Sequence, residues 1–456
     1  MDVLLIGSGA REHAIAWKLR QSPRLGALYA APGNAGIAQL AETVPLAVPK
    51  ADAPQERIDA YCDAVVAAAR ERSAELVVVG PEDPLSFGLV DRLQIAGIPA
   101  FGPAQAAARI ESSKAFAKEV MRRHGVPMGA AARFDDFEAA CAYVASRAGD
   151  VVVKADGLAA GKGAIVTSSH EEAVDALRDL MLEGALGAAG RTVVIEDRLA
   201  GREVSAHAFS DGRSVVHMPF ACDHKAAYDG GRGPNTGGMG AYSPAPWLRD
   251  DVAEAVRREV TERTIAALAA EGAPYRGVLF PGLMITDEGP RVLEFNARFG
   301  DPETEVLLPL LDSDLLEIMV ACADGTLDRV DVRWSDDAAV TVMLASGGYP
   351  GPYESGKVID GLDDVDADGL VFHAGTNLDA SGRTITSGGR VLAVTATAPT
   401  IAQAREKAYR NVDRIRFDGM HYRRDIGAGD VAPSSPSAPG GRDPTARPGG
   451  WGVRAT

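Results

Sequence analysis

The segment VLEFNARFGDPETEVLLPLL, residues 292–311, holds the densest set of groups able to do chemistry in this 456-residue chain. Glu294, Asn296 and Arg298 alternate with Leu293, Phe295 and Ala297. Side chains two apart on an extended strand share a face. One face therefore offers a carboxylate, an amide oxygen and a guanidinium to the same small volume. The turn Phe299-Gly300-Asp301-Pro302-Glu303 adds two further carboxylates. Hard oxygen donors suit Mg²⁺, which takes one or two protein ligands together with the oxygens of substrate phosphates. A solvated strand end would account for a single Glu. Polar groups interleaved this closely with Phe and Leu point instead to a metal–phosphate site.

Phosphate needs further donors, and the chain supplies candidates. DGLAAGKG (156–163) sets Gly157, Gly161 and Gly163 around Lys162 and follows VVVK, a strand ending in Lys154. It is not a Walker loop, because G-x-x-x-x-G-K-[ST] needs different glycine spacing and a hydroxyl after the lysine. A glycine-rich hairpin folding over phosphates fits better, and Lys154 among apolar neighbours needs an anionic partner. GSGARE (7–12) begins like a dinucleotide fingerprint, but Glu12 stands where the third glycine belongs. The acid expected on a ribose about 20 residues further on is also missing. An oxidoreductase using NAD is therefore disfavoured. A strand, a glycine turn and a helix N-terminus still suit a small anion. IEDRLAGREVS (195–205) places Glu196 and Glu203 at the ends of what read as neighbouring strands. Such a connector could meet an adenine and a ribose, though solvated charge explains it as well. DHKAAYDGGRGPNTGGMGAYSP (223–244) is too glycine-rich for a core element and too particular for a spacer. An ordered substrate loop carrying Asn235 and Thr236 is expected there.

The elements that must position these groups divide the chain. DVLLI (2–6) and LVVVG (76–80) are buried strands, with helical patterns at 54–71 and 86–96. Strands alternating with helices predict a doubly wound parallel sheet, with ligands beyond its carboxyl ends. GSGARE, APGNAG and GPEDP all fall at those ends. Residues 103–113 read as a hinge. Beyond it, 114–125 is a helix stopped by Gly125, and 191–199, 202–210 and 213–220 read as an antiparallel meander. A long helix over about 249–271 and strands near 277–286 and 290–296 complete an α+β region. A third region starts near 334, with strands at 340–346, 371–376 and 390–398 and a helix over about 400–416. From Gly427 the composition turns to Gly, Pro, Ser, Ala and Arg, and a disordered tail is expected over 428–456. No internal repeat is evident.

Bulk properties narrow the function. Net charge is −16, which argues against a general nucleic-acid surface. No run of about 18 apolar residues is present to cross a membrane. The N-terminus lacks a basic segment before its apolar stretch, so no secretory signal is expected. Cys62, Cys141, Cys222 and Cys322 lie far apart without a C-x-x-C pair, as suits a reducing cytosol.

In this order, VLLIGSGAREHA, APGNAG, GPEDPL, SKAFAK, KADGLAAGKG, DHKAAYDGGRGPNTGGMGAYSPAP, LEFNARFGDPETE, ASGGYPGPY, VFHAGT and SGGRVL resemble the motifs of the glycinamide ribonucleotide synthetase (phosphoribosylamine–glycine ligase) family. These are ATP-grasp enzymes of purine biosynthesis, and the likeness runs to about Ile426. The resemblance implies a Rossmann-like N-terminal domain over 1–103 and an ATP-grasp core of two α+β subdomains over 104–333, its lid at about 125–195. A small mixed C-terminal domain follows over 334–427. It implies ATP contacts at Lys114, Lys154, Gly157, Gly161, Lys162 and Gly163, an adenine hinge over Glu196, Asp197 and Leu199, and Glu203 on the ribose. Glu294 and Asn296 would hold Mg²⁺ (or Mn²⁺). Arg298, Asp301, Glu303 and Lys225 would serve catalysis. Gly9, Arg11, Glu12, Asn34, Pro81, Glu82, Asp223, Asn235 and Thr236 would bind substrate. The implied partners are glycine, 5-phosphoribosylamine and ATP; from the bulk properties neither nucleic acid nor membrane is expected, and the chain is read as a cytoplasmic monomer. Ala226, the FAC before Asp223, and Arg198 depart from the usual family pattern. Another ATP-grasp carboxylate–amine ligase or carboxylase would share the metal pair but lack GPNTGGMGAYSP. A non-catalytic nucleotide-binding module would be expected to have lost a metal ligand.

Overall fold

A computed structural model of the chain describes residues 1–147, 150–158 and 163–429. The first sheet is parallel, in the order Glu42–Thr43, Leu28–Pro32, Val3–Gly7, Leu76–Val79, Ala100–Phe101. The apolar runs that predicted its strands are fully buried: Val3, Leu4, Leu5 and Ile6 are all 0% exposed. Helix Gln55–Glu71 falls where its periodicity put it, whereas the 86–96 pattern resolves into Glu82–Ser86 and Leu89–Ile95, separated by Gly88 in a left-handed conformation. Strand order reverses beside Val3–Gly7, so Gly7–Gly9, Pro32–Asn34 and Gly80–Glu82 surround the switch point where such sheets bind ligands.

The second region is built on the long strand Arg276–Thr286. Gly289–Asn296 pairs with one edge, while Arg202–Ser205 and Ala208–Asp211 follow one another along the other. These two share a single register, so the predicted 202–210 strand is one strand broken opposite Pro281. Proline has no N–H to return to the ladder, which explains the gap. The meander expected from sequence is only half formed. Ala208–Asp211 and Val215–His217 make a hairpin, but Val193–Asp197 belongs to another sheet. That sheet runs Ala131–Phe134, Val193–Asp197, Val151–Ala155, Ala164–Val166, all antiparallel, and has its own apolar core with helices Phe137–Ser146 and His170–Met181. Glu196 and Glu203 are therefore on different sheets. The predicted long helix is continuous over 250–270, with a π-helical stretch at Val256–Glu262.

The C-terminal strands do not form a sheet of their own. The order is Cys222–Asp223, Gly240–Ser243, Ala338–Ala345, Arg390–Ala398, Leu370–His373, with helix Ile401–Val412 packed across it. The sheet thus takes two strands from the substrate-loop segment, and the change of region read near 334 falls inside a shared layer. No helix among the described residues is long and apolar enough to cross a membrane. The expected tail lies outside the described residues from 430 onward.

Candidate active site

Strand Gly289–Asn296 carries Glu294 opposite Gly282 and Asn296 opposite Phe280. Beyond its end Arg298 is only 15% exposed and bridges two regions, meeting Glu82 at 3.3 Å and Glu111 at 2.8 Å. Glu111, in helix Gln105–Ser112, also accepts from the Ala297 N–H at 2.7 Å. Burial pushes the Glu111 carboxyl up to about 7 despite Arg298. Burial also opposes ionisation of Glu82, yet Arg298 and Arg11 outweigh it and hold that group low, at about 2. The turn that follows is gripped from several sides. Glu303, 2% exposed, accepts from Ser205 Oγ at 2.9 Å. Asp301 meets Arg390 at 3.1 Å. Glu305 is completely buried, with no hydrogen-bond partner among the described residues, and burial followed by Asp301 raises its carboxyl far above the usual range.

Lys154 leaves strand Val151–Ala155 to donate to Leu293 O at 2.8 Å and to meet Glu196 at 3.0 Å. Lys118, from helix Lys114–His124, meets the same carboxylate at 2.8 Å. Glu196 is 4% exposed; burial opposes its charge, but Lys154 and Lys118 outweigh burial and lower its pKa. Its side chain is thus the counterion of the phosphate-lysine candidate. Asp197 faces outward to Arg147 at 2.7 Å, and Leu199 lies against Gly129. Lys114 donates to Gly157 O at 3.1 Å, while Asp156 accepts from the Ala115 N–H at 2.6 Å. These bonds tie the helix N-terminus to the glycine hairpin. Strands Val151–Ala155 and Ala164–Val166 pair antiparallel around that hairpin, and Ala155 donates to Gly163 O at 2.8 Å. Gly161 and Lys162 lie outside the described residues.

On the substrate-loop side, Lys225 meets Glu203 at 3.0 Å. Asp223 is pushed up to about 8 by burial, with Glu303, Glu203 and Glu294 adding to the shift and Lys225 opposing it. Thr236 ties the loop to itself through Lys225 O at 2.8 Å, whereas Asn235 is exposed. In the N-terminal region Arg11, Glu12 and His13 are buried rather than presented to solvent. Glu12 accepts from the Gly9 N–H and from Arg11 Nε, both at 2.6 Å, and Arg11 donates to Phe299 O at 3.2 Å. Asn34 donates to Ser8 O at 2.8 Å and to His373 O at 2.6 Å, which joins the first region to the last. Pro81 precedes helix Glu82–Ser86 as its N-cap residue. Sequence reasoning missed Glu111, Lys118, Ser205 and Arg390. The sequence signal closest to them was SKAFAK and SGGRVL, read as motifs without roles for these side chains.

Glu294 accepts no hydrogen bond from the described residues. Burial opposes its charge, but Lys225, Lys154 and Lys114 together lower its pKa. Asn296 Nδ2 faces Phe280 O at 3.5 Å, which leaves its Oδ1 as the open acceptor. Among the described residues no group of three or more His, Cys, Asp or Glu is set to hold a metal by itself. A cation at Glu294 and Asn296 would complete its shell with phosphate oxygens and water, as Mg²⁺ does.

A small antiparallel sheet carrying a glycine hairpin beside a central antiparallel sheet, with lysines and a carboxylate–amide pair between them, is the ATP-grasp arrangement. The biotin carboxylase domain of a Hydrogenobacter thermophilus 2-oxoglutarate carboxylase shares this fold, with TM-score 0.70 at 18% identity over 92% of this chain and 91% of that one. Family models tile the chain: the phosphoribosylglycinamide synthetase N domain matches 1–111, its ATP-grasp (A) domain 112–304 and its C domain 339–429. The chain belongs to the phosphoribosylglycinamide synthetase family. It is 47% identical to a phosphoribosylamine–glycine ligase of Vibrio cholerae over 95% of this chain and 99% of that protein. One from Rhizobium meliloti is 49% identical at the same coverage. The crystal structure of the Thermotoga maritima phosphoribosylamine–glycine ligase superimposes with TM-score 0.81 at 34% identity, covering 93% of this chain and 100% of that one.

Proposed function

We propose that the protein joins glycine to 5-phosphoribosylamine at the expense of ATP, giving glycinamide ribonucleotide, ADP and phosphate. The observation that carries this reading is Lys154 bonded to Leu293 O next to Glu294, whose charge Lys225, Lys154 and Lys114 favour, beside a turn whose Phe299 O accepts from Arg11 of the N-terminal helix Ala10–Leu19. Glycine's carboxylate is a poor electrophile. Attack of its oxygen on the γ-phosphorus expels ADP and makes glycyl phosphate. The amine nitrogen of phosphoribosylamine then attacks the acyl carbon, phosphate leaves, and the nitrogen loses a proton.

Such phosphoryl transfer asks mainly for positioning and charge neutralisation. Lys154 and Lys114 are assigned to the phosphates, with Lys118 and Glu196 fixing Lys154. The hairpin with Gly157, Gly161, Lys162 and Gly163 is the lid, and Glu196 through Leu199 with Glu203 form the adenosine side. Glu294 and Asn296 would hold Mg²⁺ or Mn²⁺, which when bound neutralises charge on the transferring phosphate. Arg298, Asp301, Glu303 and Lys225 orient the acyl group. Asp223, Asn235 and Thr236 face the substrates from the loop. Gly9, Arg11, Glu12, Asn34, Pro81 and Glu82 build the phosphoribosylamine side. The buried ion pairs of Arg11 and Glu12 support a role in shaping that side rather than in direct contact. The working boundaries are 1–103, 104–333 and 334–427, and the enzyme acts as a cytoplasmic monomer.

The test is ADP release with ATP and Mg²⁺, adding glycine and freshly generated phosphoribosylamine singly and together. Turnover is expected only with both. Turnover indifferent to glycine overturns the reading.

A further inference from the structure

We infer that Arg390, supplied by the C-terminal strand Arg390–Ala398, is a positioning residue for the amide-forming half of the reaction. The inference rests on the proposed placement of the Gly237–Gly238 loop and the Asp301 turn beside the substrates. Arg390 is 19% exposed, and one nitrogen does most of its work. Nη1 donates to Gly237 O at 2.7 Å, to Asp301 O at 3.1 Å and, more weakly, to Gly238 O at 3.4 Å. The same atom meets the Asp301 carboxylate at 3.1 Å. Nε and Nη2 make no hydrogen bond among the described residues.

The backbone around this group is shaped to admit it. A Cβ on Gly237 would lie 3.1 Å from Arg390 Cζ. A Cβ on Gly238, whose φ is +113°, would run into Pro302. Tyr349, also from the C-terminal region, accepts from the Gly237 N–H at 3.1 Å. The far oxygen of Asp301 lies 3.5 Å from where a Gly9 Cβ would be. Arg390 therefore sets the distance between the substrate loop and the Asp301 turn, on the side of the turn that faces the N-terminal glycine loop. Behind the turn Glu305 is buried without a hydrogen-bond partner among the described residues, and Arg390 is a cation acting on it. The lysines assigned to ATP lie elsewhere: Lys154 meets Glu196 and Lys114 donates to Gly157 O, and neither bonds to Arg390 among the described residues.

This separation predicts a divided phenotype. Misplacing a substrate-holding turn by about 1 Å can cost about 100-fold in rate. In Arg390→Met, kcat/KM for phosphoribosylamine should fall by roughly that factor, measured at saturating ATP and glycine. The Kd for a fluorescent trinitrophenyl-ATP should stay within about twofold of wild type, the spread left when binding is untouched. Arg390→Lys should recover part of the loss, because it restores the charge but not the planar fork. Free guanidinium ion added to Arg390→Gly should recover some rate as well. Unchanged kcat/KM in Arg390→Met overturns the inference. So does a parallel loss of ATP affinity, which would mean that Arg390 only supports the fold. If Arg390→Met does not fold, the same two constants in Arg390→Lys decide. A wild-type protein without glycine- and phosphoribosylamine-dependent ADP release removes the functional reading, and this inference with it. An active wild type with an indifferent Arg390→Met removes this inference alone.

Discussion

Replacing Glu196 by Gln tests the electrostatic account of the ATP side most directly. Glu196 is 4% exposed and meets Lys118 at 2.8 Å and Lys154 at 3.0 Å. The amide keeps the shape but leaves two buried ammonium groups facing one another. Removing one partner of a buried ion pair costs about 3–5 kcal/mol. Lys154 keeps its bond to Leu293 O, so the lower end applies, about 3 kcal/mol. For a unit of the size of the ATP-grasp domain, each kcal/mol shifts Tm by about 2–4 °C, so a drop of about 6–12 °C is expected at pH 7. The pH dependence has a fixed sign. The folded-state pKa of Glu196 lies below its unfolded value of about 4.3. Its stabilisation is complete above that value and is lost as pH falls through the folded pKa. The gap between wild type and Glu196→Gln should therefore be full at neutral pH and close in acid. Saturating ATP should narrow the gap at pH 7 if its phosphates replace the lost anion beside Lys154. Scanning calorimetry from pH 3 to 8, with and without ATP, measures all three effects. A neutral-pH Tm within about 2 °C of wild type would refute the reasoning, since it corresponds to less than about 1 kcal/mol.

Glu294→Gln should lower turnover by about 100-fold or more while the fold survives, with some loss of Tm at neutral pH because the lysines around Glu294 lose their counterion, and near-normal rates at saturating Mg²⁺ would remove the metal assignment. Gly238→Ala should cost about 1–3 kcal/mol by urea unfolding, because its φ of +113° and the nearby Pro302 both oppose a Cβ; an unshifted midpoint would show that the loop yields freely. Ser205→Ala removes the 2.9 Å bond to buried Glu303 and should cost about 1–3 kcal/mol by the same measurement, with a loss in kcat. A neutral outcome would mean that Glu303 finds another donor.

What the sequence revealed was whatever has a local period or a local break. Glu294, Asn296 and Arg298 announced themselves because a strand repeats every two residues, and the helix from Lys114 because Gly125 ends it in a left-handed turn. The glycine hairpin after Lys154 was legible for the same reason, as turn residues between two β-like runs. The partners of these groups were hidden because nothing local marks them. Glu111 holds Ala297 across 186 residues of chain, Lys118 reaches Glu196 across 78, and Arg390 reaches Gly237 across 153. The pairing of strands was equally opaque. Val193–Asp197 and Arg202–Ser205 look like successive members of one meander, yet a long-range competition sends them to separate sheets. Pro281 interrupts the ladder of its neighbour, a consequence invisible in the neighbour's own residues.

The sheet that takes strands from both Gly240–Ser243 and Ala338–Ala345 decides which parts of the protein can be separated. A chain ending before 338 would leave the Gly240–Ser243 edge unpaired, and bare edges recruit other chains. Gene truncation, limited proteolysis or expression of the last hundred residues alone should then yield aggregates rather than a smaller working unit. The sheet containing Lys154 is different, since its apolar core is its own. Evolution could exchange or insert sequence there while leaving the remaining layers intact, and a designer seeking a place to graft a reporter should begin on its outer helices.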